Sequence, residues 1–272
     1  MGQYKLCLNT STIRPASLMD KIRITGEAGY DAIELWSDDL TKYEDENGSL
    51  DDVVKALKDN GLEVVTLIAL HGWMDSVGAE YEKSLEEARR RMIQAAAVGS
   101  PYIIASPPRH VVDLHEGARR YRQLLEIGRE YGVKPAMEFL GFVDGVNQIN
   151  DAWQIVTEAD DPDGTIIMDV FHMYKGGSSL DDMRKIPGDK MAIFHFNDAP
   201  GFPAREEQTD ADRVYPGDGI APLDDMLAIL KEANYQGVVS LELFNPTYWE
   251  QDLLEVARTG LEKTKAALKQ SI

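Results

Sequence analysis

The chain has 272 residues, of which 43% are hydrophobic and 28% are charged, a composition that favours a folded protein with a sizeable core over a disordered one. Its 47 acidic and 28 basic side chains give a formal net charge of −19, which argues against a surface that binds the phosphate backbone of nucleic acids. No apolar run is long enough to span a membrane and the N-terminus lacks the pattern of a secretory signal, so we expect a cytoplasmic protein without membrane contact.

Short apolar runs alternate with amphipathic segments along the whole chain. In chain order, the predicted strands are YKLCLN, AIELW, EVVTLIAL, YIIASPP, KPAMEFL, TIIMDVF, MAIFHFN and VVSLELF. The segments between them, such as LDDVVKALKDNG and GARRYRQLLEIGREYG, carry apolar residues at three- and four-residue spacing and end at glycine, which predicts helices. Eight alternating units predict an α/β protein of the (β/α)₈ TIM-barrel class. No linker-like segment interrupts them, so residues 1–272 are predicted to form a single domain.

One predicted connection is unusually long. Residues 199–222, APGFPAREEQTDADRVYPGDGIAP, follow the seventh strand and show little periodicity. Such a loop is usually functional or disordered, and in a barrel it would emerge at the C-terminal face, where active sites lie. Its PGDG segment lacks the Lys-Ser/Thr of a phosphate-binding loop and is predicted to be a turn, so an unphosphorylated substrate is favoured.

Four polar residues stand late in predicted strands five to eight: Glu138, Asp169, His195 and Glu242. Because side chains alternate between the two faces of a strand, all four can point into the mouth of the barrel. Three carboxylates at close range repel one another and raise their pKa values, whereas a divalent cation removes that repulsion. We therefore predict that the four side chains bind one divalent metal ion. Oxygen-rich ligation with one imidazole suits Mn²⁺, Mg²⁺ or Co²⁺, and Zn²⁺ is also compatible.

Other polar and aromatic residues follow earlier strands. Glu34 and Trp36 share a face at the end of the second strand, and His71 and Trp73 follow the third. Groups of this kind can hydrogen-bond to a sugar-like ring or stack on it. Trp36 and His71 are accordingly predicted to bind substrate.

Several of these segments resemble a known family: KLCLNTST, MEFLGF, MDVFHMYKGGSS, FHFND, TDADRVYPGDGIAPLD and SLELFNPTYW. Together and in this order they are similar to the sugar-phosphate isomerase/epimerase family with the xylose isomerase-like barrel, and most of all to its inosose (2-keto-myo-inositol) isomerase branch. The resemblance implies that Glu138, Asp169, His195 and Glu242 are the metal ligands. It also implies that His172 contacts a substrate hydroxyl and that Arg213 contacts a substrate oxygen. The residues themselves leave alternatives open: His172 as a metal ligand or a rim residue, and Arg213 as the ion-pair partner of Asp210 or Asp212.

The predicted activity is the isomerisation or epimerisation of a keto-sugar or keto-inositol. The metal would act as a Lewis acid that stabilises a cis-enediolate, with Glu138 and Glu242 as base and acid. The expected partner is therefore a small-molecule ketose or keto-polyol, and a homo-oligomer is an open alternative to a monomer. The alternative is a dehydratase that expels water from the same enolate of an inosose or a dehydroshikimate-like ketone. A zinc endonuclease is disfavoured by the five histidines and the negative charge, and a non-catalytic sugar-binding barrel is a further alternative.

Overall fold

Eight strands pair in parallel, each with its neighbour in the sequence, and β8 pairs with β1 to close the barrel. The computed structural model describes residues 4–270. The strands are β1 (Lys5–Asn9), β2 (Ala32–Trp36), β3 (Glu63–Leu70), β4 (Tyr102–Ala105), β5 (Lys134–Met137), β6 (Thr165–Asp169), β7 (Met191–His195) and β8 (Val238–Leu241). This topology confirms the predicted (β/α)₈ fold, and every predicted strand is present.

Helices occupy the connections and surround the barrel. The α-helices are α1 (Leu18–Ala28), α2 (Ser37–Asp45), α3 (Leu50–Asp59), α4 (Ala79–Ala97), α5 (Leu114–Tyr131), α6 (Ile149–Glu158), α7 (Val170–Gly176), α8 (Leu180–Arg184), α9 (Leu223–Glu232), α10 (Pro246–Trp249) and α11 (Leu253–Gln270). Across residues 4–270, no helix combines the length and the apolar character that crossing a bilayer would require.

The predicted sixth strand, TIIMDVF, is too long. The strand stops at Asp169, and α7 begins at the next residue. The carboxylate of Asp169 accepts a hydrogen bond from the backbone N–H of His172 at 2.8 Å, which caps the first turn of the helix. Strands β5 and β8 are also shorter than predicted. β5 ends one residue before Glu138, and β8 ends one residue before Glu242.

The barrel interior is filled to the level of these polar residues by a separate apolar cluster. Its buried members are Cys7, Ala32, Val65, Ile68, Ala69, Ile104, Ala136, Ile167, Ala192 and Ile193. Several of them precede an inward-facing polar residue by two positions, as Ala136 precedes Glu138 and Ile193 precedes His195. The apolar floor therefore leaves the polar side chains at the C-terminal rim.

The long connection after β7 is tied to the barrel by one carboxylate. Asp198 accepts hydrogen bonds from four backbone N–H groups of this segment, those of Ala199, Gly217, Gly219 and Ala221. Its own backbone pairs with Val214 in an antiparallel bridge. The PGDG segment is thus a turn wrapped around Asp198, as predicted, and the loop places Arg213 over the barrel mouth.

The turn between α5 and β5 depends on a close approach at Gly128. A Cβ atom at this position would clash with the backbone carbonyl of Val133 and lie 2.8 Å from Pro135 Cδ. Gly117, in the same helix, is different, because its added Cβ would lie 3.5 Å from Ile155 Cδ1, an ordinary contact. Of these two helical glycines, Gly128 is therefore the one that the path into the strand before Glu138 requires.

We expect Gly128→Ala to lower the free energy of unfolding by about 1–3 kcal/mol, because the helix must shift away from the strand. Gly117→Ala is the matched control and should be neutral or stabilising by about 0.5–1 kcal/mol, since alanine is the better helix former. Urea denaturation of both variants measures the difference. Equal effects of the two substitutions would contradict the assigned role of Gly128.

Candidate metal centre and active site

Three side chains from consecutive strands form a compact buried group at the C-terminal rim. One potential ligand atom from each of Asp169, His195 and Glu242 lies within 4.8 Å of the other two. His195 Nδ1 is 3.4 Å from Asp169 Oδ2 and 3.2 Å from Glu242 Oε2. All three residues are at most 4% exposed. Two carboxylates and an imidazole in this arrangement are a donor set that a divalent metal ion accepts.

The imidazole of His195 provides the test of fit for a metal. Its Nδ1 atom is buried and makes no hydrogen bond within residues 4–270, although two carboxylate oxygens are near. Buried polar atoms are normally hydrogen-bonded, so a buried nitrogen without a hydrogen bond indicates that a further partner can bind there. A metal ion between His195, Asp169 and Glu242 would supply that partner, and these residues therefore fit the expected group.

Arg213 supplies a positive charge to the same carboxylates. Its Nη1 atom lies 2.8 Å from both Asp169 Oδ2 and Glu242 Oε2, and Asp210 accepts from its Nε atom at 2.9 Å. The guanidinium is buried between the rings of Phe171 and Phe244, at 5.0 and 5.2 Å from their centroids. Burial disfavours its charge, but the surrounding carboxylates outweigh burial and raise the pKa of Arg213. The side chain is thus a fixed cation.

Glu138 stands beside this group but is not part of its tight core. Its carboxylate accepts a hydrogen bond from Ser106 Oγ at 2.8 Å, and it lines the same cavity as Glu242. Burial, followed by the negative charge of Glu242, raises the pKa of Glu138 to about 8. Of the four predicted ligands, Asp169, His195 and Glu242 therefore converge, whereas Glu138 is a neighbouring carboxyl group that is readily protonated.

Neighbouring charges shift the pKa values of the residues in this group. Burial disfavours the imidazolium form of His195, but the carboxylates of Glu242 and Glu34 outweigh burial and raise the pKa of His195 well above its ordinary value. Burial also opposes ionisation of Asp169, yet Arg213 and then the other nearby groups hold the pKa of Asp169 well below its usual range. In the absence of a metal ion, these carboxylates therefore favour the doubly protonated imidazolium form of His195.

His172 is held at the start of α7, above the metal group. Its Nε2 atom lies 3.0 Å from Arg213 Nη2, and its Nδ1 atom is 3.3 Å from the backbone nitrogen of Gly141. Its ring also meets that of Phe142 edge-on at 5.3 Å. Burial lowers the pKa of His172 to about 4, so the ring is neutral at pH 7 and can accept the hydrogen bond from Arg213.

A cavity of about 420 Å³ opens above these residues. It is lined by both predicted substrate-binding residues of the earlier strands, Trp36 and His71, together with Glu138, His172, Arg213 and Glu242. Its volume falls in the range of small-molecule sites. Trp73, by contrast, is fully buried and donates a hydrogen bond to the Ser106 carbonyl, so it belongs to the core. A larger cavity of about 760 Å³ lies among the strand starts at the opposite end of the barrel, away from the C-terminal face where barrel enzymes hold their active sites.

Three residues that contact the site were not predicted as part of it: Asn9, Ser106 and Asn197. Asn9 donates to Glu242 Oε1 at 2.8 Å and accepts from the Trp36 indole. The side-chain amide of Asn197 lies 3.4 Å from Asp169 Oδ2. Asn197 shares a strand face with His195, and this alternation is a signal that could have found it. Ser106 lies one residue beyond the end of β4, but it stands two positions after the inward-facing Ile104 in the predicted strand YIIASPP, so the same alternation could have found it.

A sequence model of the xylose isomerase-like TIM barrel family matches residues 22–267. The chain belongs to this family. The inosose isomerase of Halalkalibacterium halodurans is 33% identical to it over 96% of this chain and 95% of that protein. The 3-dehydroshikimate dehydratase of Pseudomonas aeruginosa is 28% identical over 84% of this chain but only 36% of that protein. A crystal structure of the IolI protein with a bound zinc atom matches with a TM-score of 0.92 and 28% identity, covering 98% and 99% of the two chains.

These likenesses confirm the resemblance to the family and the expectation that the chain is an enzyme. The zinc atom in a similar protein, together with the buried Asp169, His195 and Glu242, supports the expectation of a divalent metal. The identity of the ion, the oligomeric state and the cytoplasmic location stay predictions.

Binding of a divalent ion to the metal-free protein at pH 7 should release between one and two protons. Glu138, with a pKa of about 8, and His195, with a raised pKa, are both expected to be protonated before binding, whereas the predicted four-ligand set requires both to be deprotonated. The affinity for the metal ion should therefore rise with pH. The part of this rise that comes from deprotonation of Glu138 should level off above about pH 8. Calorimetry in buffers of different ionisation enthalpy counts the protons.

Glu138→Gln is the control for this count. The amide cannot titrate, so this variant should release about one proton fewer than the natural protein at pH 7. Release of less than half a proton by the natural protein would contradict the assigned protonation states.

Proposed function

We propose that this chain is a metal-dependent inosose isomerase, which moves the carbonyl group of a keto-inositol to a neighbouring carbon through a cis-enediolate. The observation that carries the proposal is the pairing of Glu138 and Glu242 at one cavity beside a group suited to a divalent ion. The full-length similarity to an inosose isomerase supports this substrate over other ketoses. The unphosphorylated ring is a neutral polyol and suits the cavity of about 420 Å³.

The ligands in this proposal are Asp169, His195, Glu242 and, when ionised, Glu138, and the ion is Mn²⁺, Mg²⁺, Co²⁺ or Zn²⁺. A divalent ion in this position supplies Lewis-acid stabilisation of the negative charge that develops on the ketone oxygen and its neighbouring hydroxyl. The side chains must then remove one proton from the carbinol carbon, deliver one to the former carbonyl carbon and allow one to pass between the two oxygens.

Glu138 and Glu242 carry the carbon-bound protons in this scheme. Both oxygens of Glu242 are held, Oε1 by Asn9 and Oε2 by Arg213, which fixes its orientation. Glu138 is held through Oε2 by Ser106. Its pKa of about 8 lies close to working pH, and groups in this range exchange protons efficiently in both directions. One glutamate therefore acts as base and the other, or the same one, as acid.

Arg213 and His172 orient the substrate oxygens in the proposed complex. The guanidinium is a permanent donor at the cavity wall and can stabilise an oxygen that gains negative charge. His172 is neutral at pH 7, so it can exchange hydrogen bonds with a hydroxyl without adding charge. Trp36 and His71 complete the wall that faces the ring.

A dehydratase is the second candidate, because a relative with this activity matches 84% of the chain. The same base would remove the α-proton, and the enolate would then expel a β-hydroxyl that leaves as water. The shorter coverage of that relative, 36% of its length, makes it the less favoured reading.

Glu138→Gln and Glu242→Gln should each lower the exchange of the α-proton of inosose with D₂O at least about 100-fold, because an amide cannot act as a base. Proton NMR of the substrate in D₂O follows the loss of the signal. Glu82→Gln removes one negative charge from an exposed site on α4 and serves as the control, with exchange expected to be unchanged. Full exchange in both cavity variants would remove these residues from the chemistry.

Mass spectrometry of the product separates the two candidate functions. An isomerase gives a product of unchanged mass, whereas a dehydratase gives one that is lighter by one water. We expect unchanged mass with inosose and no reaction with 3-dehydroshikimate. Loss of water from either compound would favour the lyase.

A further inference from the structure

Glu34 is a buried carboxylate that the proposed mechanism leaves without a role. It lies on β2, is 0% exposed and is absent from the residues that line the substrate cavity. In the closed barrel, β2 and β7 are separated by β1 and β8, so Glu34 reaches the side chain of His195 across the interior. A carboxylate in such a place is costly unless specific contacts compensate it.

Both carboxylate oxygens of Glu34 have defined partners. Oε2 lies 3.2 Å from His195 Nε2, and Oε1 accepts a hydrogen bond from the hydroxyl of Ser240. The backbone carbonyl of Glu34 accepts from Thr10 Oγ1 at 2.9 Å, which fixes the strand at this point. Among the residues that the structure describes, His195 is the one basic side chain within ion-pair distance of Glu34.

These contacts decide which nitrogen of His195 is available to a metal. A carboxylate can only accept, so the contact with Glu34 requires a proton on Nε2. In the neutral ring, the lone pair must then be on Nδ1, the atom that faces Asp169 and Glu242 and that makes no hydrogen bond with the part of the chain that the structure describes. A carboxylate on the far side of a ligating imidazole fixes both the tautomer and the ring orientation.

We propose that Glu34 is a positioning residue: it holds the Nε2 proton of His195, anchored in turn by Ser240, so that Nδ1 is presented as a metal ligand. The inference rests on the metal site in the proposed function. The contacts from Ser240 through Glu34 to His195 would therefore strengthen metal binding, and Glu34 would not touch the substrate.

Metal affinity tests the role directly. The probe is Zn²⁺ alone, titrated into metal-free full-length protein in competition with a chromophoric chelator. Removing a carboxylate behind a ligating histidine typically weakens metal binding 10–100-fold, and we expect a loss of this size for Glu34→Leu. Glu34→Gln keeps the size and one acceptor oxygen but loses the charge, so its affinity should fall between those of Glu34→Leu and the natural protein.

Thr66→Val is the matched control. Thr66 is paired with Glu34 in the barrel register and is equally buried, but its hydroxyl contacts only the backbone carbonyl of Leu67 in the described part of the chain. Its replacement removes one buried hydroxyl next to Glu34 and should leave the Zn²⁺ affinity within twofold of the natural value.

A spectroscopic measurement separates positioning from general loosening of the core. In the Zn²⁺-loaded protein, nitrogen NMR of the His195 ring should show a proton on Nε2 and the metal on Nδ1. The visible bands of Co²⁺-loaded protein should change in both Glu34 variants and stay unchanged in Thr66→Val.

The outcomes distinguish this inference from the function on which it rests. If the natural protein binds no Zn²⁺ at one equivalent, the proposed metal site itself fails. If it binds Zn²⁺ but both Glu34 variants stay within twofold of it, or if Nε2 carries the metal, the role of Glu34 is refuted alone. If Glu34→Leu does not fold, the isosteric Glu34→Gln decides, and natural affinity in that variant overturns the proposal.

Discussion

Mutual repulsion of buried carboxylates is the constraint to which the C-terminal rim of this barrel is adapted. Glu138, Asp169 and Glu242 come together where little water can screen them, and unpaired charges in such a place are costly. The chain meets this cost by several means at once. A permanently charged arginine bridges Asp169 and Glu242, a protonated histidine lies between them, and Glu138 keeps its own proton near neutral pH. The same surplus of negative charge is what makes the place attractive to a dication.

Two separate features of the fold place the charged groups at the rim: the apolar barrel interior and the loop after β7. Small and branched apolar residues fill the interior, so that the next inward-facing residue on a strand arrives at the rim. The loop that carries Arg213 is held by Asp198, whose carboxylate collects four backbone N–H groups. The strand ends thus supply the negative charges, and a loop anchored by its own carboxylate supplies the positive one.

Much of this arrangement follows from local sequence patterns. Period-two alternation and glycine-terminated helical segments were sufficient to predict all eight strands and the barrel, and parity placed Asp169, His195 and Glu242 on one rim. The boundary after Asp169 was missed because the helix there is nucleated by a cap, a contact that competes with an apolar run typical of a strand. The roles of Ser106 and Asn9 were also missed, since each depends on a partner brought close only by the closed barrel. The position of Glu138 beside the three converging side chains was missed for the same reason, because the hydrogen bond from Ser106 orients its carboxylate.

The origin of the three converging side chains has a thermodynamic consequence. Asp169, His195 and Glu242 come from three successive βα units, so one ion held by all of them would join segments that are far apart along the chain. A ligand that binds only the folded state stabilises it by mass action, by about 2.7 kcal/mol when its free concentration is 100 times the dissociation constant. Scarcity of the ion would then lower the fraction of folded protein as well as its turnover.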